Sequence, residues 1–270
     1  ENAWKETTAN GAESVSKPKM IEDEKGEAIV ATIKTYGDTT HTFIERKNYN
    51  GVFLPGYQVM DVDVVADPIG IIHIDHVVGN QPDGEMQSVC DFYEKVFGWH
   101  RFWSVDDKDV STDYSSLRSI VMANENEKIK MPINEPAGGL KKSQIQEFVE
   151  YYAGAGVQHI AMSTKNIIET VTKLKANGVD FLPTPKSYYE TLKARIGNFE
   201  EDINILAELG ILLDSDENGY MLQIFTKPIQ DRPTLFYEII QRKGSNSFGK
   251  GNFRALFESI EREQELRGNL

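Results

Sequence analysis

One repeated order of elements restricts this chain more than anything else in it, because each copy opens on a strand that carries a histidine. Ile71 to Val78 reads as a strand and leads into a helix over about Asp83 to Phe97. In that helix Met86, Val89, Tyr93, Val96 and Phe97 recur on one face, and Gly98 is placed to end it. Strands are then predicted over His100–Val105, Ser116–Ala123 and Lys128–Ile133. The second copy starts with a strand from Val157 through Ser163. Thr164 is its candidate cap for a helix bearing Ile167, Ile168, Val171 and Leu174, with Gly178 behind. A short strand at Val179–Leu182, helical stretches near Tyr188–Ile196 and Glu200–Leu209, and strands at Tyr220–Thr226 and Thr234–Arg242 follow. A last amphipathic helix, Asn252–Leu266, carries Leu256, Phe257 and Ile260. Paired βαβββ modules of an α+β chain imply one curved, open, barrel-like sheet around a cavity.

Ahead of this region, residues 1 to about 25 are polar and weakly patterned. Ala28–Ile33 and Thr40–Ile44 form a hairpin signal around Gly37-Asp38. Two strands do not make an independent domain, and Asn48 to Pro68 is punctuated by Gly and Pro like a linker. Residues 1–69 are therefore expected to be the remnant of an N-terminal domain plus linker. Residues 70–270 are expected to form the functional domain, with modules at about 71–152 and 153–270.

Strand alternation selects among the histidines. Ile72, Ile74, His76 and Val78 share one face of the first strand, which places His76 on the apolar side and His73 on the other. His159 opens the second module. Thr234, Phe236, Glu238 and Ile240 share a face of the last strand, so Glu238 is a carboxylate among apolar neighbours, where an ionised acid needs a partner. A lone histidine on an apolar face is ordinarily a hydrogen-bonded core residue, and Glu238 is merely solvated if its face is exposed. If His76, His159 and Glu238 meet, they form a 2-His-1-carboxylate set suited to non-haem Fe(II), although zinc also accepts it. His41 and His100 read as surface or structural residues, and Asp106-Asp107 as a turn.

Composition removes several competing functions. The net charge of −13 over 270 residues opposes binding to nucleic-acid phosphate. No apolar run reaches the ~20 residues of a membrane helix, and no secretory leader is evident at the start of the chain. A cytoplasmic protein is expected. The single cysteine, Cys90, is expected to be an inert core thiol. There is no P-loop, dinucleotide fingerprint, nucleophile elbow or zinc-type cysteine spacing.

Longer segments carry a resemblance. They are Thr35–Thr42, Asp75–Asp83, Phe102–Asp107, Lys130–Pro136, Gly154–Ala161, and Leu222–Pro228 with Arg232–Phe236. From about Thr35 onward the chain closely resembles the 4-hydroxyphenylpyruvate dioxygenase family, which has the vicinal-oxygen-chelate (glyoxalase/bleomycin-resistance-like) fold. The resemblance implies ferrous iron (Fe2+) held by His76, His159 and Glu238. It implies a substrate pocket lined by Ser119, Asn134, Gln144, Gln158, Gln223, Phe225, Phe236 and Phe253, with the final helix as a gate. It further implies that 4-hydroxyphenylpyruvate and O2 become homogentisate and CO2 in tyrosine and phenylalanine catabolism, and that the full-length protein is a homodimer. Two alternatives stay open: a hydroxymandelate synthase-like oxygenase acting on the same substrate, and a non-catalytic ligand-binding homologue.

Overall fold

The computed structural model describes residues 1–60, 67–105, 116–139 and 141–268. The predicted turn at Asp106-Asp107 lies outside them, as does the side chain of Phe257. In chain order the elements are α1 (Asn2–Ala9), β1 (Ser14–Asp23), β2 (Gly26–Lys34), β3 (Thr40–Glu45), β4 (Ile71–Asn80), α2 (Met86–Phe97), β5 (His100–Val105), β6 (Ser116–Ala123), β7 (Lys130–Ala137), α3 (Gln144–Tyr152) and β8 (Gly156–Thr164). They continue with α4 (Ile167–Ala176), α5 (Lys186–Ile196), α6 (Ile203–Leu209), β9 (Leu212–Asp216), β10 (Gly219–Phe225), β11 (Phe236–Lys243) and, after a 3-10 turn at Lys250–Asn252, α7 (Phe253–Leu266).

Eight strands form one sheet in the order β5-β6-β7-β4-β8-β11-β10-β9. Its symmetry is that of the repeat. Each module places its first strand at the centre, pairs it parallel with its own last strand, and steps outward through antiparallel neighbours. The two first strands, β4 and β8, pair antiparallel at the join. Helices cover the sheet. In the first module Met86, Val89, Cys90 and Tyr93 of α2 pack on Ile120, Met122 and Ile133. In the second, Ile167 and Val171 of α4, with Leu192 and Leu206, pack on Leu213, Leu222 and Ile239.

Several expectations need correction. The start of the chain is ordered: α1 and β1 precede the expected hairpin, and β1 makes a third strand in the order β1-β2-β3. Pro18 and the lysines flanking it hid β1, yet they are residues an edge strand tolerates. This small sheet packs through Ile33 and Phe43 against Val96 and Phe97 of α2. The second module's second strand is β9, not Val179–Leu182. The latter runs extended beside the end of β10 and forms only the isolated bridge Phe181–Thr226. The sequence of β9, Leu-Leu-Asp-Ser-Asp, is too short and acidic to show alternation. Helix α3, capped by Ser143 whose oxygen accepts from Gln146 N, was not anticipated. Asn166 rather than Thr164 caps α4 by accepting from Glu169 N, while Thr164 exchanges a 2.8 Å hydrogen bond with Thr170.

Cys90 is fully buried, and burial pushes its thiol up to about 12. The native chain should therefore resist thiol-specific reagents at neutral pH and react only on unfolding. A native reaction rate matching that of the denatured chain would contradict this.

Candidate metal centre and its cavity

His76, Glu238 and His159 lie on three adjacent strands, β4, β11 and β8. His76 and Glu238 both stand in register with Ala161 of β8, one on either side of it. His159 lies two residues before Ala161 and so on the same face. Ala161 is fully buried and contributes only a methyl group, which leaves room between its neighbours for their longer side chains to converge. Glu238 Oε2 lies 3.2 Å from His76 Nε2 and 3.2 Å from His159 Nε2. One ligand atom from each residue falls within 4.8 Å of the other two.

His76 faces inward, but simple alternation is not the reason. The register of β4 against β8 slips between Ile71 and His73 and again between Ile74 and His76. A bulge changes the phase of a strand and re-aims its side chains. Ile72 and Ile74 consequently point outward, 51% and 59% exposed, while His76 and Val78 are buried. The bulge also brings Asp75 beside its neighbour, so that Asp75 Oδ1 lies 2.8 Å from His76 Nδ1. On the other histidine, Nδ1 lies 2.9 Å from Gln158 Oε1. Both rings are thus occupied on the Nδ1 side and present Nε2 to the centre.

The electrostatics agree with this geometry. Burial would raise the Glu238 carboxyl, but the two imidazoles outweigh it and hold the group at about 2. Burial lowers the basicity of His76, yet Glu238 and Asp75 overcome that and raise it above the ordinary value. His159, which lacks an acid on its far side, is left below the ordinary value by burial.

A cavity opens from the three side chains. Of the pocket residues expected from sequence, Ser119, Asn134, Gln223, Phe225 and Phe253 line it. Gln144, Gln158 and Phe236 line a neighbouring cleft bounded by Ile260 and Glu263 of α7 and by Arg267 just after it. Phe236 nonetheless reaches the centre, because its ring stacks on His159 at 4.8 Å. Trp103, Phe248 and Leu256 complete the cavity wall and were not anticipated. Nothing in their local pattern separates them from ordinary core, and Phe248 comes from an irregular segment. Asp75 was also missed as a functional group, although an acid adjacent to a candidate histidine ligand is a readable signal.

Relatives share both the sequence and the shape. The profile of the glyoxalase/bleomycin resistance protein/dioxygenase superfamily matches residues 73–224. A 4-hydroxyphenylpyruvate dioxygenase of Coccidioides posadasii is 55% identical over 100% of this chain and 70% of its own length. That of Dictyostelium discoideum is 52% identical over 100% of this chain and 76% of its own. A solved mutant of 4-hydroxymandelate synthase from Streptomyces coelicolor superposes with a TM-score of 0.84 at 31% identity, covering 97% of this chain and 74% of that one. Sequence identity above one half along the whole chain, together with a fold that sets two histidines and a glutamate around one point, places this protein in the 4-hydroxyphenylpyruvate dioxygenase family.

Proposed function

We propose that residues 70–270 form the catalytic domain of an Fe(II)-dependent dioxygenase that converts 4-hydroxyphenylpyruvate and O2 to homogentisate and CO2, and that His76, His159 and Glu238 hold the iron. The observation that carries this reading is the meeting of both Nε2 atoms on one Glu238 oxygen at the wall of an aromatic cavity. The donor set fits the metal: the imidazoles of His76 and His159 and the carboxylate of Glu238 would hold a ferrous ion, the 2-His-1-carboxylate combination suited to it. Bound iron supplies the activation of O2 and the oxidation of the 2-oxo acid.

The protein's own residues provide orientation and exclusion. Phe225, Phe248 and Phe253 bound the space for the substrate ring, and Trp103 packs against both Phe248 and Phe253. Such a wall keeps water from the oxidant. Ser119, Asn134 and Gln223 place polar groups on the same cavity, suited to a phenol and a carboxylate. Asn252 Nδ2 donates to Gln223 Oε1 at 3.3 Å, which leaves the Gln223 amide N–H groups for the ligand. Helix α7 covers the cavity, with Arg267 paired to Glu147 at 2.9 Å and Lys227 to Glu263 at 3.2 Å. Among the described residues no helix is long and apolar enough to cross a membrane. Action in the cytoplasm, and assembly of the full-length protein as a homodimer, belong to the same reading.

The test is product analysis. Iron-loaded protein supplied with 4-hydroxyphenylpyruvate should consume one O2 per substrate and release homogentisate. Release of 4-hydroxymandelate would assign the chain to the synthase activity of its structural neighbour, and no O2 uptake would leave it a binding protein.

Metal binding should also compete with protons. The histidines must be neutral to bind metal, and His76 holds its proton above the usual histidine value because Glu238 and Asp75 outweigh burial. Affinity should therefore rise with pH through and beyond ~6.5. A metal titration flat between about pH 5.5 and 8 would contradict this.

A further inference from the structure

Arg242 stands at the end of β11, and β8 separates that strand from β4. Its guanidinium nevertheless reaches across to Asp75 in a two-pronged contact. Nε donates to Oδ2 at 2.9 Å and Nη2 to Oδ1 at 2.9 Å. Asp75 Oδ1 is the same atom that lies 2.8 Å from His76 Nδ1. The remaining nitrogen, Nη1, donates to the carbonyl of Ser247 at 2.6 Å. Arg242 Cζ lies over the ring of Phe248, 5.3 Å from its centroid, and that ring packs edge-on against His76 at 5.1 Å. One arginine thus grips the acid behind a histidine of the centre and the segment that presents a cavity wall in front of it.

We propose that Asp75 and Arg242 are positioning residues of the metal centre: Asp75 holds His76 with its proton on Nδ1 and its Nε2 lone pair toward the ion, and Arg242 locks both that carboxylate and the Ser245–Phe248 segment. This inference rests on the assignment of His76, His159 and Glu238 as the metal-holding group. The chemistry is that of an outer carboxylate orienting a ligating imidazole. A planar fork fixes the carboxylate in a way that a point charge cannot. An amide at position 75 cannot satisfy all three donors. With its oxygen toward His76, its NH2 opposes Arg242 Nε. Turned over, its NH2 faces His76 Nδ1 and favours the tautomer whose proton blocks Nε2.

The experiment is Co(II) binding to chelator-treated protein, measured by titration against a competing chelator, for the parent, Asp75→Asn and Arg242→Lys. Asp75→Asn should weaken Co(II) binding by about 10–100-fold, and Arg242→Lys should fall toward the lower end of that range. A purely structural role would not move a second readout, the slowly exchanging His76 Nδ1 proton in NMR spectra of the Zn(II)-loaded protein. It should be present in the parent and lost or exchange-broadened in Asp75→Asn. Parental Co(II) affinity in both variants with that proton retained overturns the inference and leaves the metal assignment standing. A parent chain that binds no Co(II) overturns the metal assignment and this inference with it. If Asp75→Asn does not fold, Arg242→Lys alone decides, and parental affinity there overturns the proposal.

Discussion

Glu238→Gln and His159→Ala should each abolish stoichiometric iron binding and turnover while leaving a folded chain. Glu238 is the shared partner of both histidines, 3.2 Å from each Nε2 and 3% exposed. It carries the only negative charge the proposed ligand set offers the ion. The glutamine keeps the shape but loses that charge, so affinity should drop by more than the roughly 10–100-fold that outer-shell partners are worth. Breaking a buried ion pair usually costs about 3–5 kcal/mol because a charge is left behind. Here the partners are imidazoles, which can release their protons instead, so cooperative unfolding should persist. His159→Ala removes one nitrogen ligand and a ring packed between Phe225 and Phe236. Metal analysis after gel filtration decides the matter: parental iron occupancy in both variants would rule out the three-residue site.

Phe236→Ala should give a large stability loss. Phe236 is 7% exposed, and it belongs to an apolar cluster with Leu182, Leu212, Phe225, Ala255, Leu256 and Ile260 that joins the sheet to α7. Truncating a buried phenylalanine costs about 3–5 kcal/mol, part of it as the cavity left behind. At roughly 2–4 °C per kcal/mol for chains of this size, the thermal midpoint should fall on the order of 10 °C. The effect reaches the chemistry as well, since the ring stacked on His159 is gone and α7 loses part of its footing. Phe236→Leu should lie between the two. An Ala variant with the parental midpoint would show that the cluster is not a unit.

The parts of the site that could be read in advance are those governed by local period. Glu238 falls on the buried face of β11 as alternation requires, and Gln223 and Phe225 share a face of β10 and both line the cavity. Alternation failed on β4, where two slips of register move Ile72 and Ile74 outward. A bulge is set by pairing with β8, and no window of β4 alone contains that information. The same limit explains β9, whose five residues become a strand only because β10 supplies partners from Gly219 to Gln223. It also explains Arg242, a residue at the end of a strand whose partner Asp75 is 167 positions away.

What the sequence determined by itself was the repeated element order, the candidate ligands and the family, because periodicity and long matching segments are properties of the chain read in one dimension. Only the tertiary structure decided that β4, β8 and β11 lie side by side and that Ala161 separates His76 from Glu238. It alone divided the expected pocket residues between two cavities. Those facts depend on strand register and on the packing of α7, which arise from contacts between segments distant in the chain.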